Sequence, residues 1–231
     1  VSMKKPKLED TKLVLLFEMA DRLKARAGKD ALLSLPDVQT PMDVAALIWE
    51  KSDFFAAMYE APEAVQALAE MVKQLQFDFF DEWFRRYGSS FIAHFPEYYM
   101  PFGITISEDE VGVVSSEMYQ KFFEQELHAF SQRYGAIGVH CCADSKHQWE
   151  NFANIPNLKI LNLCRERDDT LTSLDRFRNV CGQYPGCKIR DLGNLNDPNQ
   201  IHLAQYCTIN TIDEARRIAE YIRQYGVLPA E

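Results

Sequence analysis

The sequence predicts an α/β fold, in which helices alternate with the strands of a parallel sheet. Short apolar runs of strand length alternate with helix-period stretches along the whole chain. No internal repeat, low-complexity tract or long linker interrupts this alternation, and 231 residues suffice for one well-cored domain. We therefore predict a single domain over residues 1–231, in which the basic residues 1–7 form a flexible leader.

The first half of the chain is predicted to be mainly helical. The clearest helix start is Thr40, a capping residue followed by Pro41 at the first helical position and Asp43 in the first turn. The longest helix carries apolar residues at helical spacing and ends at Gly88. Helices are predicted over residues 8–27, 40–49, 53–59 and 63–87, and an apolar run of strand length lies at 31–35.

In the second half, predicted strands and helices take turns, as in βαβ units. Strands are predicted over residues 90–93, 103–106, 136–141, 158–163, 188–192 and 203–207. Helices are predicted over residues 116–134, 148–153, 172–184 and 211–225. The last of these helices starts with a capping box formed by Thr211 and Glu214.

Composition and charge exclude several classes of protein. With a net charge of −9, the chain lacks the basic surface that binding to nucleic acid requires. No apolar stretch reaches the roughly 18 residues that cross a membrane, and no signal peptide is recognisable at residues 1–7. The six cysteines are therefore expected to be reduced thiols, and the protein is predicted to be soluble and cytoplasmic.

The spacing of His140 and Cys142 indicates a metal site. Both follow the apolar run 136–139, and two residues apart on a strand their side chains point the same way. Cys207 could complete a set of two cysteines and one histidine, which with one open position is typical of catalytic zinc sites. Spacing alone leaves an alternative, in which all six cysteines are small buried hydrophobic residues.

Five segments, in chain order, resemble motifs of the uroporphyrinogen decarboxylase superfamily. The first is Pro62-Glu63-Ala64-Val65, which resembles a "Pro-Glu-x-Val" helix opening. In the second, Glu108-Asp109-Glu110 resembles an acidic strand end, and Ser115-Ser116-Glu117-Met118-Tyr119 resembles a "Ser-Pro-Glu-x-Tyr" helix start. The third is His140-Cys141-Cys142, which is similar to "His-x-Cys-Gly". The fourth is Gly193-Asn194-Leu195-Asn196-Asp197-Pro198, which is similar to "Gly-Asn-Leu-Asp-Pro" with one residue inserted. The fifth is Cys207 with Thr211-Ile212-Asp213-Glu214, which is similar to a Cys that precedes "Thr-Pro-x-Glu-Asn".

This resemblance implies a TIM-type (β/α)8 barrel with its site at the C-terminal ends of the strands. The sequence begins near what would be the third strand of that barrel. Between Pro198 and Cys207 there is also too little chain for a crossover helix. The implied barrel is therefore shortened or incomplete at the N-terminus and before the last strand, and its exposed strand edges would need a partner to cover them.

The resemblance also implies site residues. Decarboxylases of the superfamily carry an Arg-Gln-Ala-Gly-Arg segment that this sequence does not contain. The corrinoid-dependent methyltransferases of the superfamily bind zinc through a His-x-Cys motif and a later Cys. His140, Cys142 and Cys207 are then the zinc ligands, and Asp109 is a catalytic acid or hydrogen-bond acceptor at a strand end. Cys164 or Glu166 is the candidate for an additional ligand.

The function implied by the resemblance is zinc-dependent methyl transfer between a corrinoid protein and a small thiol or methylated substrate. The cofactors are then zinc and a corrinoid (cobalamin) carried on the partner protein. The predicted partners are this corrinoid protein, a small-molecule methyl donor or acceptor, and a second copy of the chain in a homodimer. Two alternatives stay open, a decarboxylase of the porphyrinogen type and a non-catalytic relative that acts as a binding module.

Overall fold

The structure, a computed structural model, describes residues 3–94, 97–163, 167–185 and 209–225. Its α-helices are α1 Val14–Ala27, α2 Pro41–Ile48, α3 Lys51–Glu60, α4 Pro62–Tyr87, α5 Ser116–Phe122, α6 Glu124–Tyr134, α7 Trp149–Ala153, α8 Arg167–Phe177 and α9 Ile212–Tyr225. Its strands are β1 Phe91–Ile92, β2 Tyr99–Met100, β3 Ile104–Ser107, β4 Ile137–Cys141, β5 Leu158–Leu163 and β6 Gly182–Gln183. The predicted α/β class is confirmed.

Four parallel strands form the main sheet, in the order β3-β4-β5-β6. Neighbours in this sheet follow one another along the chain, and every crossover between them contains a helix. The register pairs Ser107 of β3 with His140 of β4, and His140 with Asn162 of β5. The C-terminal ends of these three strands therefore lie side by side.

An extended segment, residues 33–40, continues the sheet on the open side of β3. Single parallel bridges join Ser34 to Ile92 and Gln39 to Ser107. The backbone N–H of Thr40 donates to the carbonyl of Ser107 at 2.8 Å, which places the start of α2 beside the C-terminal end of β3. Thr40 also caps α2 as predicted, since its hydroxyl accepts from the backbone N–H of Asp43 at 3.4 Å.

The hydrophobic core is built around α4, the longest helix. Ring contacts join Phe17 of α1 to Phe79 and Trp83 of α4, with centroid distances of 5.4 and 6.2 Å. On another side of α4, Phe80 contacts Phe130 of α6 edge to face, with centroids 6.0 Å apart. The apolar stripe that the sequence predicts on α4 thus packs against both α1 and α6, and α6 in turn packs against β3 and β4.

A hairpin, β1–β2, places Tyr98 against the middle of β4. β1 lies within the strand predicted over 90–93, whereas β2 lies within the loop predicted over 94–102, and the two strands pair antiparallel. The phenol of Tyr98 lies so close to Gly138 that a side chain at position 138 would overlap its oxygen. Tyr98 also packs against the ring of Tyr184, at 6.5 Å between centroids. Glycine at 138 is therefore a packing requirement.

Three helices differ from their predicted extents. Of the helix predicted over 8–27, Val14–Ala27 forms α1, and Leu8–Asp10 forms a separate 3-10 turn. The helix predicted over 172–184 ends at Phe177, and Gly182–Gln183 instead pairs with β5 as the edge strand β6. Backbone hydrogen bonds to the neighbouring strand favour this outcome, and a Gly in the predicted helix weakens the helical alternative. The helix predicted over 116–134 breaks at Phe123, which lets the adjacent residues Phe122 and Phe123 both be buried.

A closed barrel is not seen in the part of the chain that the structure describes, where the parallel sheet has four strands. The predicted shortening before the last strand falls on residues 198–207, outside the described residues. The shortened or incomplete (β/α)8 barrel and the single domain over 1–231 stay predictions. Within residues 3–94, 97–163, 167–185 and 209–225, no helix is both long and apolar enough to cross a membrane.

Candidate functional site

Polar side chains line up at the C-terminal edge of the sheet. Ser107, His140 and Asn162 occupy paired positions on β3, β4 and β5, and all three are at least 93% buried. Side chains alternate along a strand, so the apolar neighbours of these residues point to the opposite face, toward the helices. A row of buried polar groups in mostly apolar strands marks this edge as a candidate site.

The imidazole of His140 is oriented by Asn162. The Nδ1 atom of His140 lies 2.5 Å from Oδ1 of Asn162, and Nδ2 of Asn162 donates to the backbone carbonyl of Tyr184 at 2.7 Å. Because Nδ2 is committed as a donor, Oδ1 is the acceptor and His140 Nδ1 carries the proton. In the neutral ring, a proton on Nδ1 leaves the lone pair on Nε2, and a histidine binds a metal through such an unprotonated nitrogen.

Asp109 and Cys142 meet beside His140. The backbone N–H of Cys142 donates to Oδ1 of Asp109 at 2.6 Å. One carboxylate oxygen of Asp109, one ring nitrogen of His140 and Sγ of Cys142 all lie within 4.8 Å of one another. Cys142 is exposed and Asp109 half-buried, so small molecules can reach this group. Oxygen, nitrogen and sulfur ligands of this kind bind zinc in proteins, and these three residues could hold a divalent metal.

A buried carboxyl group fixes the loop that carries Asp109. Asp43, in the first turn of α2, accepts from the backbone N–H groups of Asp109 at 2.7 Å and Glu110 at 3.0 Å. Burial raises the pKa of Asp43 to about 6, against the opposing effect of its hydrogen bonds. The pKa of Glu108 is raised well above its usual range by burial and by the nearby Asp43. The proximity of these two buried carboxyl groups thus disfavours the ionisation of both together.

The remaining predicted ligands lie outside the described residues. Two further donor residues near His140, Cys141 and His147, were not predicted as ligands and contact other partners. Cys207, Cys164 and Glu166 lie outside the described residues, so the predicted third ligand and the additional ligand stay predictions. Cys141 is buried, and its Sγ lies 3.3 Å from Oγ of Ser145, in agreement with a position away from the site. His147 contacts the backbone carbonyl of Val114 at 2.9 Å.

Four residues of this edge were not predicted from the sequence to belong to the site: Ser107, Asn162, Asp43 and Glu108. A signal for Asn162 is present, since it is the one polar residue near the end of the apolar strand 158–163, at a place equivalent to that of His140. Asp43 has the sequence context of an ordinary first-turn acid, and its contact with the Asp109 loop depends on how α2 packs.

Comparisons with known proteins give one structural similarity. No family model and no curated protein matches the chain. Among solved structures, a methyltransferase from Methanosarcina mazei matches with a TM-score of 0.55 and 10% sequence identity. The match covers 72% of this chain and 46% of that one, so the chain spans about half the length of this protein. At this identity the similarity concerns the fold, which is methyltransferase-like.

Proposed function

We propose that this protein is a zinc-dependent methyltransferase that moves a methyl group between a corrinoid protein and a small thiol or methylated substrate. The observation that carries the proposal is the gathering of His140, Cys142 and Asp109 within 4.8 Å at the C-terminal edge of a parallel sheet. The fold shared with a solved methyltransferase supports the same function. We also propose that β3 to β6 belong to a (β/α)8 barrel, in which successive strands are neighbours.

In this proposal the zinc ligands are His140, Cys142 and Cys207. The donor types fit zinc, and the contact with Asn162 assigns His140 the required tautomer. The place of Cys207 rests on its sequence context, since it lies outside the described residues. Bound zinc would favour the thiolate form of a substrate thiol, or polarise the oxygen of a methylated substrate. The exposed position of Cys142 leaves the site open to a methyl group carried by a partner protein.

Metal analysis tests the proposed site. Reduced, folded protein is expected to contain stoichiometric zinc, which Cys142→Ala and Cys207→Ala should each remove. Cys141→Ala is the matched control, because Cys141 is the adjacent thiol and its Sγ contacts Ser145 instead of the site. A reduced and folded wild-type protein without zinc would contradict the proposal and favour a non-catalytic binding module.

A methyl-transfer assay tests the reaction itself. The probe is methylcobalamin, alone and on a corrinoid protein, with 2-mercaptoethanol as the acceptor thiol. The proposal predicts loss of the methylcobalamin absorbance and formation of the methyl thioether with the wild type, and neither with Cys142→Ala. Zinc-loaded wild-type protein that is inactive with both forms of the probe would contradict methyl transfer between a corrinoid and a thiol.

Removing the partner of His140 should weaken metal binding. In Asn162→Ala the imidazole loses the acceptor that holds Nδ1, so we expect zinc affinity to fall about 10–100-fold. Competition with a chromophoric chelator measures this change. Asn151→Ala is a control, because Asn151 is also a buried, hydrogen-bonded Asn but contacts Ser116 and Gln148. Equal zinc affinity in Asn162→Ala and wild type would exclude the orienting role.

A further inference from the structure

We propose that Asp109 is itself a ligand of the metal. Together with His140 and Cys142, it would be the third ligand in the described part of the chain. The proposal rests on the proposed zinc site and changes the role of Asp109 from a catalytic acid or hydrogen-bond acceptor to a ligand of the metal. Its starting point is that a carboxylate oxygen of Asp109 lies within 4.8 Å of both the ring nitrogen of His140 and Sγ of Cys142.

The position of Asp109 is fixed by its surroundings. Its backbone N–H donates to the carboxylate of Asp43, which is 98% buried and also binds the N–H of Glu110. Its side chain is directed at β4 by the 2.6 Å hydrogen bond from the backbone N–H of Cys142 to Oδ1. A solvated turn carboxylate would lack both constraints. Holding a ligand in place before the metal binds reduces the ordering cost of binding.

The neighbouring acids are directed elsewhere. Glu108 is fully buried, and its Oε1 accepts from the hydroxyl of Thr40 at 3.1 Å. Glu110 forms an ion pair with Lys51, with 2.6 Å between Oε1 and Nζ. Of the three consecutive acids, Asp109 is the one whose carboxylate joins His140 and Cys142. Because the two neighbouring acids have other partners, a loss of metal binding that is specific to Asp109 variants would reflect a ligand role and not acidic charge in general.

The chemistry of the three donors agrees with a ligand role. Bonds of 2.0–2.3 Å to a tetrahedral zinc place its ligand atoms about 3.3–3.8 Å apart, so separations of up to 4.8 Å would contract by about 1.5 Å at most on binding. A carboxylate has two oxygens, and the hydrogen bond from Cys142 uses Oδ1, so the second oxygen can bind the metal. With one carboxylate, one thiolate and a neutral imidazole, a bound Zn²⁺ has no net charge. Cys207 would be the fourth ligand, so a substrate would bind either as a fifth ligand or in place of Asp109.

Cobalt(II) spectroscopy of two variants tests this inference. Asp109→Cys exchanges the oxygen donor for a thiolate, so it should increase the sulfur-to-cobalt charge-transfer absorbance in the near ultraviolet if position 109 is in the inner sphere. Asp109→Asn keeps an oxygen that accepts from Cys142 but loses the charge, and should weaken zinc binding by at least about tenfold. Glu110→Gln is the matched control and should retain wild-type affinity and spectrum.

The outcomes separate this inference from the zinc site on which it rests. If Cys142→Ala abolishes metal binding while Asp109→Asn keeps wild-type affinity and Asp109→Cys keeps the wild-type spectrum, Asp109 is not a ligand and the zinc site stands. If the affinity of Asp109→Asn falls but Asp109→Cys shows no added charge-transfer band, Asp109 only positions Cys142 and the inference is wrong. If Cys142→Ala binds metal like the wild type, the zinc site itself is wrong.

Discussion

Replacing Gly138 with alanine should lower the free energy of unfolding by about 3 kcal/mol, at the upper end of the usual cost of overpacking. A Cβ at position 138 would overlap the phenol oxygen of Tyr98 and come within 2.8 Å of Cγ2 of Ile160 and 3.1 Å of Cγ2 of Thr105. These atoms belong to both neighbouring strands and to the hairpin, so the added methyl group cannot be absorbed by moving one flexible side chain. Urea unfolding of the variant measures the change.

The double variant Tyr98→Phe/Gly138→Ala identifies the cause. Removing the phenol oxygen removes one of the clashes, so the double variant should recover part of the lost stability, and the two changes should not be additive. The single variant Tyr98→Phe serves as the reference. Wild-type stability in Gly138→Ala, or no recovery in the double variant, would show that Tyr98 does not pack against β4 in this way.

The stability of the metal-free protein should depend on the protonation of Asp43. Its pKa is raised from 3.8 to about 6 by burial, so the folded state binds a proton that the unfolded state has already released. The resulting stabilisation is fully present below pH 3.8 and is lost as the pH rises through about 6. Between about pH 4.5 and 7.5 the loss corresponds to about 2 kcal/mol.

Asp43→Asn isolates this contribution from other titrating groups. The variant keeps an oxygen acceptor for the loop but cannot ionise, so the stability of the wild type relative to Asp43→Asn should fall by about 2 kcal/mol from about pH 4.5 to 7.5. Urea unfolding with a metal chelator present provides the measurement. Asp53→Asn, which makes the same exchange at an exposed position of α3, is measured alongside as the control. Parallel pH profiles for wild type and Asp43→Asn would contradict the raised pKa.

Sequence periodicity predicted most of the described elements. The helices that begin at Thr40 and reach Gly88, and the strands that end at Cys141 and Leu163, were predicted because local signals and burial agree there. The prediction failed at Gly182, where pairing with β5 outweighs helical propensity, and in the loop 94–102, which contains β2. Both are cases in which a contact distant in the chain decides the local structure.

The candidate site was predictable only in part. His140 and Cys142 could be paired from the sequence because a strand has a fixed alternation of side chains. Their proximity to Asp109 agrees with the prediction that Asp109 lies at a strand end, where the resemblance implied a catalytic acid or hydrogen-bond acceptor. The orienting contact of Asn162 and the anchoring role of Asp43 depend on strand register and helix packing, which periodicity does not specify.

By itself, the sequence determined the α/β class and which side of each strand is polar, because those properties follow from the spacing of residues within one segment. Only the tertiary structure decided that the ends of β3 and β4 bring Asp109 to Cys142, that Asn162 holds His140, and that Tyr98 requires a glycine at 138. These contacts join residues 22 to 40 positions apart in the chain. Their geometry comes from the pairing register and from close packing, which act between segments and leave no periodic trace in the chain.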